Sequence, residues 1–242
     1  MAKLPKITPP AVAVITGASQ GIGKALAIGM AEDGFDVALL ARNKEKLLSV
    51  ADQIRKINPN SKVLVLECDV GDETSVQKCI SEVYSSLGTV SILINNAGAV
   101  AQGSLVEDSS VFEKLLKTNL LGAFLVSREI VKQMKEQRSG YIINISSVCG
   151  KVGFSGTGMY SASKFGLLGL NDSLFHELIP FGIRVTALCP SWVDTDMAEH
   201  CPFPAEDRIQ TSDILKTVRF LLSLDQGATV KELVIECPSD PL

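Results

Sequence analysis

Thr16-Gly17-Ala18-Ser19-Gln20-Gly21-Ile22-Gly23 is the stretch that decides the fold. It closes an apolar run, Val12–Thr16, and opens a segment of helical spacing over 22–33. A strand that passes through a glycine-rich turn into a helix is the first unit of a βαβ architecture. The glycines let the backbone turn sharply and let a ligand approach with no Cβ in the way. The helix start offers free N–H groups and the positive end of the helix dipole, which suits a pyrophosphate. The spacing is G-x-x-x-G-x-G, not the commoner G-x-G-x-x-G. A tight turn with no ligand would carry the same residues, so the other strand ends must decide between the two.

Outward from this turn, short β-branched runs alternate with longer helical segments. Strands are predicted at 12–16, 36–41, 62–67, 91–95, 141–145, 183–188 and 232–235, and helices at 22–33, 44–57, 73–86, 110–135, 159–179 and 212–224. That alternation implies right-handed crossovers and a parallel sheet. The strands are apolar on both faces, as in Val63-Leu64-Val65-Leu66, so helices cover both sides. No linker, repeat or charge block divides the 242 residues. The expectation is one doubly wound Rossmann domain over 1–242, with ligands bound beyond the carboxyl ends of the strands.

Composition narrows the function classes. Hydrophobic residues make up 46% and charged residues 21%, which excludes a disordered or low-complexity chain. The net charge of −4 disfavours binding to a nucleic acid backbone. The six cysteines, at 68, 79, 149, 189, 201 and 237, show no C-x-x-C spacing, and there are two histidines. Neither a metal site nor a disulfide framework is expected, and reduced thiols point to the cytoplasm. No apolar run reaches the ~18 residues of a membrane span. The run after Pro9-Pro10 reads as the first strand and not as a signal peptide.

Each predicted strand end carries something. The second ends in Leu40-Ala41-Arg42-Asn43, with no carboxylate to repel a 2′-phosphate and with Arg42 able to pair with one. Lys44 and Lys46 lie close by in sequence, whereas Asp36 opens the strand and falls at the wrong end. This favours NADP(H) over NAD(H). The third ends in Cys68-Asp69-Val70, where Asp69 either accepts from an adenine amino group or caps the next helix. The fourth ends in Asn95-Asn96-Ala97-Gly98, which suits a backbone running beside a cofactor and equally suits a turn. On the long helix that follows, Asn119 shares a face with Leu115 and Val111, as a satisfied structural amide or an active-site group. The fifth ends in Asn144-Ile145-Ser146-Ser147. Beyond it Tyr160 and Lys164 stand one helical turn apart. Near neutral pH a tyrosine needs a shift of about 3 pKa units to act as a base, and an adjacent ammonium supplies part of it.

Together these residues resemble the short-chain dehydrogenase/reductase family. The resemblance runs from Val12 to about Leu224 and rests on T-G-x-x-x-G-x-G, N-N-A-G, the helical Asn119, and Ser147 set 13 residues before the Tyr160-x-x-x-Lys164 pair. It implies seven parallel strands in the order 3-2-1-4-5-6-7. It also implies roles. Tyr160 is the general acid in carbonyl reduction and the base in the reverse direction. Lys164 lowers the Tyr160 pKa and binds the nicotinamide ribose, Ser147 holds the substrate oxygen, and Asn119 positions a water that relays protons to Lys164. Cofactor contacts fall to Gly17, Ser19, Gln20, Gly21, Ile22, Gly23, Arg42, Asp69, Val70, Asn96, Ala97, Gly98, Ile145, Tyr160, Lys164, Pro190, Val193 and Thr195. Two departures stand out. Ser191 replaces the usual glycine after Pro190, with less tolerance of positive φ. The chain also ends Val234-Ile235-Glu236-Cys237-Pro238-Ser239-Asp240 without the common Gly-Gly segment.

The substrate flap is expected at about 194–211. It is short and acidic, which favours a small or partly exposed carbonyl substrate. Its acidity disfavours an acyl carrier protein, though Arg128, Lys132, Lys135 and Arg138 on the long helix offer a docking face. His200 and His176 read as polar surface residues. Three functions follow: an NADPH-dependent carbonyl reductase, a 3-oxoacyl-(acyl carrier protein) reductase, or a non-catalytic dinucleotide sensor or scaffold. The intact Asn119, Ser147, Tyr160 and Lys164 weigh against the third. Ala162, Gly166 and Gly169, with the apolar long helix, suggest a homodimer or homotetramer.

Overall fold

The computed structural model describes residues 4–105 and 108–239. The strands are β1 (Val12–Thr16), β2 (Asp36–Ala41), β3 (Val63–Glu67), β4 (Val90–Asn95), β5 (Gly140–Ile145), β6 (Ile183–Pro190) and β7 (Glu232–Ile235). The helices are α1 (Gly21–Glu32), α2 (Lys44–Ile57), α3 (Glu73–Leu87), α4 (Ser109–Leu116), α5 (Gly122–Gln137), α6 (Gly158–Leu178) and α7 (Thr211–Ser223). All strand pairs are parallel and the order is β3-β2-β1-β4-β5-β6-β7, as the resemblance implied.

Strand periodicity divides the core. Ala13, Ile15, Val37, Leu39, Ile92 and Ile94 pack with α1, α2 and α7, while Val12, Val14, Ala38, Leu40 and Leu93 pack with α3, α5 and α6. Successive side chains of a strand point to opposite faces, so a continuous apolar run serves two helical layers. β1 is buried along its whole length.

The predicted long helix is not continuous. Between α4 and α5 the chain makes a π turn, Lys117–Leu121. A π turn adds a residue to one helical turn and is commonly placed at functional sites. Here it carries Asn119 inward, buried to 1% exposure. Asp72, whose carboxylate accepts the Ser75 N–H, caps α3, which removes the capping reading of Asp69.

Candidate active site

A cavity of about 360 Å³ opens at the carboxyl edge of the sheet, beyond the ends of the neighbouring strands β1 and β4. Its wall contains Gly17, Ser19, Gln20, Gly21, Ile22, Arg42, Asp69, Val70, Asn96, Ala97, Gly98 and Thr195, all singled out in the sequence. Gly17 and Gly21 have φ of 64° and 54°, and a Cβ on Gly23 would meet the Gly17 carbonyl oxygen at 2.2 Å. Only glycine fits these positions. Gln20, the N-cap of α1, makes no side-chain cap, and the first turn holds no acidic residue. The helix N–H groups therefore face the cavity with their positive potential uncancelled. The cradle fits the diphosphate of a dinucleotide.

Other side chains hold this cradle. Asn96 donates its amide to the carbonyls of Thr16 (3.0 Å) and Gly17 (3.2 Å), and the Thr16 hydroxyl accepts the N–H groups of Asn96 and Ala97 at 3.0 Å. Asp69 accepts the Gly71 N–H at 2.9 Å and presents its carboxylate at the cavity wall. Arg42 stands exposed at the end of β2, while Asp36, at the other end, accepts the Lys62 N–H. Sequence reasoning missed Met197, Asp196 and Thr118 as wall residues. Lys46, offered with Lys44 as a helper of Arg42 at a 2′-phosphate, lines the cavity and donates to the Gln20 side chain at 2.7 Å. Ile145, Pro190 and Val193 are buried in the strand ends behind the cavity and do not line it.

The reacting groups lie next to this cavity. A Cβ on Gly98 would sit 3.6 Å from Asn119 Oδ1 and 3.8 Å from Lys164 Nζ, so the two regions meet there. Tyr160 and Lys164 are on one face of α6, both buried. Lys164 Nζ donates to the Ile145 carbonyl at 2.9 Å and lies 5.7 Å from the centre of the Tyr160 ring. Asn119 Oδ1 accepts the Ala99 N–H at 2.7 Å. Its amide nitrogen donates to Ala99 O and Ser163 Oγ, both at 2.9 Å. The Ser163 hydroxyl then donates to the Tyr160 carbonyl at 2.7 Å. The side chain of Asn119 is thus fully committed to tying β4's exit to α6. Asn119 is a satisfied buried amide that also stands beside Gly98, where the cradle meets Lys164.

The electrostatics differ from expectation. Burial pushes the Tyr160 phenol above its usual range, the Cys149 thiol adds to this, and the Ser147 hydroxyl opposes it. Burial pulls Lys164 down to about 8. Burial dominates the Tyr160 phenol, and the Lys164 ammonium is aimed at Ile145 O. Tyr160 is therefore a protonated phenol at neutral pH. Cys149 was not singled out. Its N–H donates to Ser147 Oγ at 3.2 Å, and its half-buried thiol faces Ser147, Thr157 and Ser161.

The flap is braced. Val193 bridges to Ile209, and Arg208 bonds Asp194 at 3.3 Å and the Phe203 carbonyl at 2.9 Å. Ser191 needs no positive φ, because Arg138 is the only such non-glycine among the described residues. His200 is exposed, and His176 lies on the outside of α6 beside Asp172. No group of metal-ligating side chains occurs among the described residues.

The fold and the glycine cradle define a dinucleotide-binding α/β protein of the Rossmann type. A model of the short chain dehydrogenase family matches residues 11–202. The chain is 36% identical over 223 residues to a 3-oxoacyl-[acyl-carrier-protein] reductase of Staphylococcus aureus, covering 87% of this chain and 90% of that protein. It is 37% identical over 220 residues to the 3-ketodihydrosphingosine reductase of Bos taurus, covering 88% and 66%. The structure of a betaketoacyl-[ACP] reductase from Bacteroides thetaiotaomicron superposes with a TM-score of 0.84 at 40% identity, covering 95% and 97%. The chain belongs to the short-chain dehydrogenase/reductase family, oxidoreductases that act on hydroxyl and carbonyl groups with a nicotinamide dinucleotide.

Proposed function

We propose that the protein reduces the carbonyl group of a ketone or aldehyde at the expense of NADPH. The observation that carries this is the buried Tyr160 facing the Ser147 hydroxyl, beside a cradle shaped for a dinucleotide. When bound, the reduced nicotinamide supplies hydride to the carbonyl carbon. Ser147 donates a hydrogen bond to the carbonyl oxygen and orients it. Tyr160 transfers its phenolic proton to that oxygen as negative charge builds on it. A raised pKa suits this direction, since the acid stays loaded at neutral pH. Lys164 holds the nicotinamide ribose and returns a proton to Tyr160, through a water positioned by the Asn119 turn. The supports for NADPH are Arg42 and Lys46 in the cavity wall and the lack of a carboxylate at the carboxyl end of β2.

A 3-oxoacyl thioester is the second reading, favoured by the relatives from Staphylococcus and Bacteroides. One sheet with a core on each face supports a single catalytic domain with its flap at about 194–211. Ala162, Phe165 and Gly169 lie exposed along one face of α6, near exposed Leu121 and Phe124. This supports a homodimer or homotetramer, and a light-scattering mass equal to one chain would exclude it. Among the described residues all six cysteines are free thiols, in keeping with the cytoplasm. No described helix is long and apolar enough to cross a membrane.

Tyr160→Phe tests the reaction. General acids contribute roughly 10²–10⁴-fold, so turnover of a ketone panel falls by that order while NADPH binding, followed by fluorescence, is retained. Undiminished turnover would end the assignment.

A further inference from the structure

We propose that the reacting carbonyl is carried on an uncharged, apolar body, and that the loops over 98–105 and 152–158, with Met197 of the flap, form its docking rim. The inference rests on the carbonyl-reductase reading of the same site and adds the class of substrate.

The rim is built from loops that leave the carboxyl ends of the adjacent strands β4, β5 and β6. The Gly103 N–H donates to the Gly156 carbonyl at 2.6 Å, and the Gly158 N–H donates to Ser104 Oγ at 3.2 Å. The first two loops are therefore one wall, beside Ser147 and Tyr160. Neither 98–105 nor 152–163 contains a charged residue. On this wall Val100, Leu105, Val152 and Phe154 stand exposed, and Met197 is exposed on the flap that follows β6 and lines the cofactor cavity. Leu105 is 98% exposed, so nearly all of its apolar area is available to an occupant. Five of the twelve large apolar side chains exposed among the described residues thus gather at the mouth of one site. Concentration of this kind, on loops held by a rigid scaffold, marks a binding surface.

Charge selects the occupant. The flap carries Asp194, Asp196, Glu199, Glu206 and Asp207. Two cations next to these loops are engaged with carboxylates: Arg208 with Asp194, and Lys151 with Glu232 at 2.8 Å. Farther along α5, Arg128 bonds Glu73 at 2.6 Å and Lys132 bonds Glu129 at 2.7 Å. A substrate on a phosphate-bearing carrier would bring anions to an acidic flap and an uncharged wall. A neutral ketone with an alkyl or aryl body meets apolar surface on the wall and at Met197.

The test uses the intact enzyme with NADPH, methyl ketones of increasing chain length, and two thioesters with the same acyl group. These are acetoacetyl-coenzyme A, which carries phosphates, and acetoacetyl-N-acetylcysteamine, which carries none. Each buried methylene is worth ~0.8 kcal/mol, about fourfold. On a half-open rim kcat/KM is therefore expected to rise about twofold to fourfold per carbon. The neutral thioester is expected to match or exceed the coenzyme A ester at low and high salt. Phe154→Ser should lower kcat/KM several-fold for the longest ketone and much less for the shortest, with the NADPH KM and the melting temperature as controls on the cradle and the fold. A flat chain-length series overturns the inference alone. So does a tenfold preference for the coenzyme A ester that fades with salt. Failure to reduce any carbonyl, by a folded enzyme that binds NADPH, overturns the underlying reading as well.

Discussion

The Ser191 hydroxyl accepts the backbone N–H of Cys237 at 2.6 Å. The Ser191 N–H donates to the Ile235 carbonyl at 2.9 Å, and the Cys237 thiol reaches the Asp207 carbonyl at 2.8 Å. The two departures from the family pattern, Ser191 and the altered C-terminal segment, are thus one feature. The serine supplies an acceptor that a glycine lacks, and the tail uses it to cross the base of the flap. Cys237 has no exposed surface, so its N–H has no water to fall back on.

Ser191→Ala is expected to destabilise the fold by about 1–3 kcal/mol, the cost of stranding a buried donor. Urea melts would measure it, and Ser191→Thr, which keeps the hydroxyl, should recover most of the loss. Equal melting of all three proteins would show that the tail does not depend on this bond.

Stability should depend on pH through Lys164. Its folded pKa of about 8 lies below the 10.5 of an unperturbed lysine. Between these values the unfolded chain binds more protons, so stability rises with pH across that window. Below about 8 both states are protonated and the burial cost is present in full. The rise amounts to about 3 kcal/mol and should be missing from Lys164→Met, so the difference between the two denaturation profiles isolates it. Carbonyl reduction should slow as pH climbs through about 8, when Lys164 loses the proton it returns to Tyr160.

Asn119→Ala removes three hydrogen bonds and leaves half-buried partners on Ala99 and a buried one on Ser163. A loss of about 2–3 kcal/mol is expected, together with a fall in kcat, because the same bonds set the floor beneath Lys164. Ser163→Ala should lose less in both. A variant that melts normally yet keeps full turnover would refute the clamp.

Arg42→Ala should reduce the preference for NADPH over NADH by roughly 10–100-fold in kcat/KM, the value of one charge-assisted hydrogen bond. The affected parameter is KM for NADPH, with NADH kinetics nearly unchanged. An unaltered ratio would place the phosphate elsewhere, with Lys46 the next residue to replace.

The succession of strands and helices and the glycine cradle were legible in the chain itself, whereas the strand order came from the family resemblance. A glycine-rich turn after an apolar strand and apolar runs of strand length are local patterns, and local sterics and periodicity set them. The Tyr160 and Lys164 pair was legible for the same reason, since four residues on a helix share a face. Three things were decided only by tertiary structure. The π turn at Asn119 broke a helix that periodicity drew as continuous, because its hydrogen bonds go to Ala99, on another segment. The direction of the Tyr160 and Lys164 shifts followed from burial, which spacing does not encode. The joining of Ser191 to Cys237, 46 residues apart, required the ends of β6 and β7 to lie side by side. Sequence fixes what each residue offers over a few positions. Which offers are met depends on neighbours that the fold alone brings within about 3 Å.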